Sequence, residues 1–284
     1  MAGTKKQKPL SGTLQKKRQK ILMWKWFGVI FLGILCVGTI LYGLNRKEIQ
    51  ISNISVRGVH VLNPEEIKNF TASFLLVKYR IGIPRANIFF YPKRSLEQAL
   101  REAFPRIETI YFKRDWWDGL ALVFTEREAR YVWCGKEVTI PREETNPCYF
   151  FDDSGDIFSE APFYSGNLFL EFYGSLVQGE GTHPIGGTVL PEDIFNRLRL
   201  FIPILLSSEF SPERIANLGD GDFEIHLARG GKILLAEKND WAKSGQNLLL
   251  ALEAEPLKTK LEKEREKLLY IDLRFGSKVY YKFE

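Results

Sequence analysis

The sequence predicts an α+β protein. It has a single N-terminal transmembrane helix, a small α+β domain, and then a strand-rich β domain with flanking helices. Three observations predict this. Trp26 to Leu44 is 19 residues without a charge. Residues 49–126 switch between period-2 and helical spacing of apolar side chains. Residues 127–284 carry mostly short alternating runs and end on two of them. Across 284 residues, 45% hydrophobic and 26% charged are globular values, which exclude a disordered, collagen-like or multi-span chain. The net charge of +5 hides an asymmetry: residues 1–25 contribute +8, so the rest of the chain carries −3. The folded part is not basic, which argues against nucleic acid as a partner.

The basic tail, residues 1–25, holds Lys5, Lys6, Lys8, Lys16, Lys17, Arg18, Lys20 and Lys25 and no acid. It is expected to be disordered and drawn to anionic lipid. The transmembrane helix, residues 26–44, is about 28 Å long at 1.5 Å per residue, close to the hydrocarbon thickness of a bilayer. Trp24, Trp26 and Tyr42 stand at its ends, where amphipathic rings prefer the interface. The cations put the tail in the cytoplasm and residues 45–284 outside the cell membrane. No small-x-small site follows the apolar run, so it reads as an uncleaved signal anchor. Bulky Leu35 argues against lipid attachment at Cys36.

In residues 49–126, Ile49, Ile51, Ile54, Val56, Val59 and Val61 alternate, with Gly58 as a turn or bulge. Asn63 suits a helix cap and Pro64 the first helical position, with Glu66 three residues after Asn63. Ile67, Phe70 and Phe74 then share a face. A second helix is expected from Ser95, with Leu96, Ala99, Leu100 and Ala103 on one side and Pro105 as the stop. Strands follow at Ile107–Phe112 and Leu120–Phe124, joined by a turn at residues 115–119. Trp116 and Trp117 in that turn either touch a membrane or partner, or pack on their own domain.

In residues 127–284, Tyr131–Trp133, Cys148–Phe151 and Ile157–Phe158 read as short strands around the turn Asp152-Asp153-Ser154-Gly155. Phe223, Ile225 and Leu227 alternate, and Gly230-Gly231 reads as a two-residue hairpin leading into Lys232–Leu235. Pro191–Leu206 and Trp241–Leu252 read as helices. Leu257–Lys267 is a mixed charge run, a solvated linker or helix. Tyr270–Phe275 and Lys278–Phe283 close the sequence as period-2 runs.

Residues with catalytic potential are sparse. His60, His183 and His226 stand alone and read as solvated or turn residues. No nucleophile elbow, Walker loop or dinucleotide fingerprint occurs, and neither zinc spacing nor a CxxC motif. Residues 152–156 and 219–222 offer oxygen ligands for Ca²⁺, but neither completes a binding loop, and plain turns are the simpler reading. Glu126 and Glu128 would point the same way in an extended chain, either as a glycosidase-like pair or as a solvated strand end. No cofactor, metal or small-molecule substrate is expected. Outside the membrane, disulfides persist. If the strands before Cys134 and after Cys148 pair antiparallel, these two residues sit at a loop neck within bridging distance. Two reduced, partly buried thiols are the alternative.

A family resemblance runs along the chain. Ile54-Ser55-Val56-Arg57-Gly58, Asn63-Pro64-Glu65-Glu66-Ile67 and Asn87-Ile88-Phe89 resemble the first part of a POTRA domain. Phe104-Pro105-Arg106-Ile107-Glu108-Thr109-Ile110 and Leu120–Ala129 are similar to a run of the bacterial cell division protein family FtsQ/DivIB, with Ala129 where Pro is common. Phe151-Asp152-Asp153-Ser154-Gly155-Asp156-Ile157-Phe158 and Tyr270-Ile271-Asp272-Leu273-Arg274-Phe275 are similar to two later motifs of that family. Residues 159–222 match little. The resemblance implies a POTRA-like domain at 49–126 and an FtsQ-type β domain at 127–284. It also implies a non-catalytic bitopic scaffold of the divisome at the division septum, with FtsB-like and FtsL-like partners. The rivals are a membrane-anchored cell-wall enzyme using a carboxylate, and a POTRA-type export chaperone.

The expected partner surface is the last run. Nothing follows it in the sequence to cover it, and at a sheet edge it would invite an added strand. Partner binding in the family is associated with the region after the Ile271-Asp272-Leu273-Arg274 motif, which points the same way. Arg274, Lys278, Val279, Tyr280, Tyr281 and Lys282 are the candidate residues. Val279, Tyr281 and Phe283 should face one side, and Lys278, Tyr280 and Lys282 the other. Arg274 would meet a partner carboxylate or pair with a neighbouring acid.

Overall fold

The computed structural model describes residues 12–79, 83–116, 118–139, 146–164, 166, 168–178, 184–208 and 210–284. Trp117, His183 and the tail before Gly12 lie outside the described residues. The protein is α+β, with one N-terminal apolar helix and a strand-rich C-terminal part. It forms two compact units, residues 1–100 with 110–124, and residues 101–109 with 125–284.

The first unit opens with α1 (Gly12–Leu44). Its Lys17–Leu44 portion is long and apolar enough to cross a membrane. The helix starts well before Trp26 and takes in part of the tail expected to be disordered. The reason is local: Leu14, Gln15, Lys16, Lys17, Arg18, Gln19 and Lys20 are all good helix formers, and no breaker separates them from the apolar run.

A 3-10 turn at Lys47–Ile49 precedes β1 (Asn53–Arg57). The strand is shorter than the alternation over 49–61 predicts. Ile49 and Ile51 instead bond the backbone of residues 86–88, through Ile51 N–H to Ala86 O at 2.7 Å and Ile88 N–H to Ile49 O at 3.0 Å. Gly58 ends β1 at φ +81°, and a Cβ there would lie 2.2 Å from Phe124 O, so only glycine fits.

The Asn63 side chain caps α2 (Pro64–Leu75), accepting from Glu65 N–H at 3.0 Å. The buried stripe is Ile67, Thr71 and Leu75, with Phe70 and Phe74 half-buried beside it. α3 (Lys93–Ala103) begins two residues before Ser95, because Pro92, with its φ already helix-compatible, accepts from Leu96 N–H. Its Leu96 and Leu100 are fully buried. β2 (Ile107–Asp115) and β3 (Gly119–Glu126) complete a three-stranded sheet in the order β1-β3-β2, with β1 parallel to β3.

The second unit is built on a nine-stranded sheet. Its strands are β4 (Tyr131–Trp133), β5 (Cys148–Phe151), β6 (Ile157–Ala161), β7 (Leu170–Tyr173), β8 (Pro212–Asn217), β9 (Asp222–Leu227), β10 (Lys232–Ala236), β11 (Leu268–Asp272) and β12 (Tyr280–Phe283). The order is β12-β11-β10-β9-β8-β7-β4-β5-β6. Three of the pairings, β4–β7, β7–β8 and β10–β11, are parallel.

The β9–β10 turn is not a two-residue hairpin. Leu227 N–H bonds Gly231 O and Gly230 N–H bonds Leu227 O, so Ala228, Arg229 and Gly230 form a three-residue loop. Gly230 at φ +86° supplies the left-handed residue such loops need.

Two helices cover one face. They are α4 (Glu192–Ser207) and α5 (Trp241–Glu253), with the short α6 (Leu257–Glu264) taking up the charge run. Phe195, Leu198, Phe201 and Leu205 of α4 and Trp241 and Leu248 of α5 share one core with Ile215, Phe223, Ile225, Ile233 and Ile271 of the sheet. Asp240 caps α5 through Ala242 N–H and Lys243 N–H. Gly245 lets the helices close up, since a Cβ there would meet Ile204 Cδ1 at 2.6 Å. On the opposite face a smaller cluster holds Val132, Cys134, Cys148, Ala161, Tyr173 and Ala216. A disulfide joins Cys134 to Cys148.

Candidate partner-binding edge

β12 is an end strand of the nine-stranded sheet. It pairs antiparallel with β11, Ile271 opposite Tyr281 and Asp272 opposite Tyr280. Alternation then sorts the side chains of β12 and of Lys278 and Val279 just before it. Val279, Tyr281 and Phe283 are half-buried and pack on the main core. Lys278, Tyr280 and Lys282 are exposed, Tyr280 at 47%. Of the six candidates, Val279 and Tyr281 therefore contribute packing, while Lys278, Tyr280 and Lys282 present their side chains outward.

Arg274 is committed within its own unit. Its Nε and Nη2 donate to Asp272 Oδ1 and Oδ2 at 3.0 and 2.7 Å, and its Nη1 donates to Asp222 Oδ2 at 2.5 Å. Hydrogen bonds from the guanidinium to Asp272 and then Asp222 raise its pKa further above its ordinary value. It is a structural clamp, not a free guanidinium awaiting a carboxylate. Asn239 Nδ2 donates to the carbonyls of Leu273 and Arg274, and Asn247 Nδ2 to Gly276 O, which fixes the turn that leads into β12.

Phe275 extends the outward patch. It is 58% exposed, and its ring meets Tyr280 edge-on at 5.4 Å. Sequence reasoning passed over it, although a large aromatic directly after the Asp272-Leu273-Arg274 stretch was the available signal. Lys260 of α6 places its Nζ 5.5 Å from the Phe283 ring, adding a cation near the same strand. The edge thus offers an aromatic pair among cations, suited to an extended, acidic, aromatic-bearing segment.

Glu126 and Glu128, read as either a glycosidase-like pair or a solvated strand end, have different surroundings. They line an open cleft of about 520 Å³ together with Arg127, Arg130, Asp152 and Asp153. Glu126 is mostly buried and pairs with Arg106 at 3.6 Å, whereas Glu128 lies beyond the end of β3, exposed, and pairs with Arg130 at 2.8 Å. Arg127 pairs with Asp152 and with Asp156 at 3.5 Å. Each acid of the turn at 152–156 is thus drawn to an arginine, and Asp153 also meets Arg199 at 3.6 Å. In the other candidate Ca²⁺ turn, Asp220 accepts from Asp222 N–H and Asp222 binds Arg274. Among the described residues no group of three or more His, Cys, Asp or Glu side chains could hold a metal ion.

His226 is neither solvated nor in a turn. It lies in β9, half-buried, with Nε2 3.3 Å from Glu224. Burial lowers its pKa despite that carboxylate.

Burial opposes the charge on Asp152, but hydrogen bonds from Ser154 and Arg127 outweigh it and hold the carboxyl below its ordinary range. Its folded pKa lies below its unfolded one. The stability it contributes is complete above the unfolded value, about 3.9, and is lost as pH falls through the folded one. Asp152→Asn is expected to flatten the acid limb of a plot of Tm against pH below the ordinary carboxylate pKa, about 3.9. An unchanged slope would remove Asp152 from the acid response.

No family model matches this chain, and no curated protein matches it.

Proposed function

We propose that the protein is a non-catalytic, single-pass membrane scaffold of the FtsQ/DivIB type. In this reading it works in the bacterial division machinery and binds FtsB-like and FtsL-like partners outside the cell membrane. The observation that carries the reading is β12: an edge strand with Tyr280 and Lys282 turned outward, and Lys278 exposed just before it, at the place where the family resemblance expects a partner. The mechanism is strand addition. Backbone hydrogen bonds along the edge supply affinity, while the tyrosine and lysines select the partner. Anchoring by α1 restricts the search to two dimensions and lets weak contacts add through avidity.

The test uses the full chain and the extracytoplasmic segment of an FtsB-like partner. Tyr280→Ala with Lys282→Glu is expected to weaken binding by about tenfold or more, 1.4 kcal/mol per factor of ten. Both side chains are exposed, so the melting temperature should hardly move. A folded double variant with full affinity would exclude this edge.

The topology proposal is N-terminus in, C-terminus out, from the cations before α1. A reporter active only in the cytoplasm, fused after Glu284, should stay silent. Activity there would overturn both the orientation and the scaffold reading.

A further inference from the structure

The first unit ends its membrane-spanning candidate in an unusual setting. Leu44, the last residue of α1, accepts a hydrogen bond from Asn87 Nδ2 at 2.8 Å. Phe89 and Phe90 follow two and three residues later, 45% and 54% exposed. The β2–β3 turn is held at the same end. Asp118 O accepts from Ser52 N–H and Asn53 N–H at 2.9 and 3.1 Å, and its carboxylate accepts from the Ser52 and Asn53 side chains at 2.6 and 2.9 Å. That turn carries Trp116, which is 85% exposed and holds φ at +59°. A bulky residue in left-handed backbone is an outlier, and here packing does not reward it. Arg114 lies 5.2 Å over the Phe89 ring and joins the two segments into one patch. Lys47 and Lys113 are exposed nearby in sequence.

Trp, Phe and basic side chains grouped beside the end of an apolar helix have the composition of a membrane–water interface. We propose that this end of the unit docks on the bilayer that α1 crosses. Trp116, Phe89 and Phe90 sit at headgroup depth, with Arg114 facing lipid phosphates. The occupant is lipid, because the patch is continuous with the end of the spanning segment through the Asn87–Leu44 hydrogen bond. Docking would fix the tilt of the unit on its anchor. The proposal rests on the reading of α1 as a membrane span, and the test separates the two.

Full-length protein is reconstituted in vesicles of phosphatidylcholine and phosphatidylglycerol. An environment-sensitive fluorophore is attached at Trp116→Cys or at Val61→Cys, each with Cys36→Ser. Val61 is 65% exposed and lies beyond the far end of β1. The parent chain labelled at Cys36, the free cysteine within α1, reports on the span. The expected result is a blue-shifted emission at position 116, quenched by lipids carrying a nitroxide near the headgroup, with neither effect at position 61. Deep quenching at 36 with water-like emission at 116 overturns the docking and leaves the span intact. Absence of quenching at 36 overturns the span and the docking with it. Shielding at 116 that appears only when a membrane protein is added overturns lipid as the occupant.

Discussion

Arg274→Ala is expected to destabilise the second unit by about 2 kcal/mol, less than the cost of breaking a fully buried ion pair, because the Arg274 side chain is partly exposed and only Asp272 is buried. The cost arises at Asp272, which is only 5% exposed. Its carboxylate accepts Nε, Nη2 and the backbone N–H of Arg274. Without the guanidinium, one backbone N–H remains to compensate a buried charge. Asp222 also loses its partner, but it is more exposed and water can replace the contact. Asp222→Asn should therefore cost much less than Arg274→Ala. Asp272→Asn combined with Arg274→Met removes both charges and should recover part of the loss. Urea unfolding of the four proteins measures this series. A loss well under 1 kcal/mol for Arg274→Ala would mean that the fork adds little to stability. The series also guards the binding experiment. Arg274 holds the turn before β12, so lost partner binding in its variants reports a displaced strand and not a missing contact.

Legibility in the sequence followed the range of the interaction. The apolar run of α1, the Asn63-Pro64 helix start and the alternation of Phe223, Ile225 and Leu227 are local patterns, and the structure has each. The outward set on β12 was readable for the same reason, since period 2 assigns faces once a strand exists. What could not be read is set by distant neighbours. β7 and β8 lie in the stretch that matched no motif, and their burial patterns, half-buried then buried, carry no clear alternation. They pair parallel to each other, and parallel pairing leaves no tight turn to detect. Glu171 and Arg214 meet across that pair at 3.3 Å, a contact invisible in spacing. Arg127 stands between Glu126 and Glu128 in sequence and Asp152 in a turn 25 residues on, and only the fold brings the two together. Arg274 illustrates the limit most directly: sequence left a partner carboxylate and a neighbouring acid equally open, and β9 supplied the second of its two acids.

Loss of the Cys134–Cys148 bridge is expected to cost about 3 kcal/mol on the chain-entropy account of a loop near 15 residues. The two cysteines are 14 residues apart and follow directly from the β4–β5 register, which pairs Trp133 with Tyr149. Both are buried beside Val132, Ala161, Tyr173 and Ala216, so serine at either position also places a hydroxyl in an apolar cluster. Cys134→Ala with Cys148→Ala is the cleaner variant, and its melting temperature should fall to that of the reduced parent. Alkylation of the unfolded chain counts the thiols. Without reductant only Cys36 should be labelled, and with reductant all three cysteines. Three labels without reductant would rule the bridge out. The effect should stay local. β4 and β5 support the rings of Tyr131, Phe151, Phe172 and Phe195, whose centroids lie 5.0 to 6.0 Å apart. β12 stands at the other end of the strand order. A reduced chain that remains folded should therefore bind the proposed FtsB-like partner with unchanged affinity. Equal loss of stability and of binding on reduction would instead place the partner surface near β4 and β5 and away from β12.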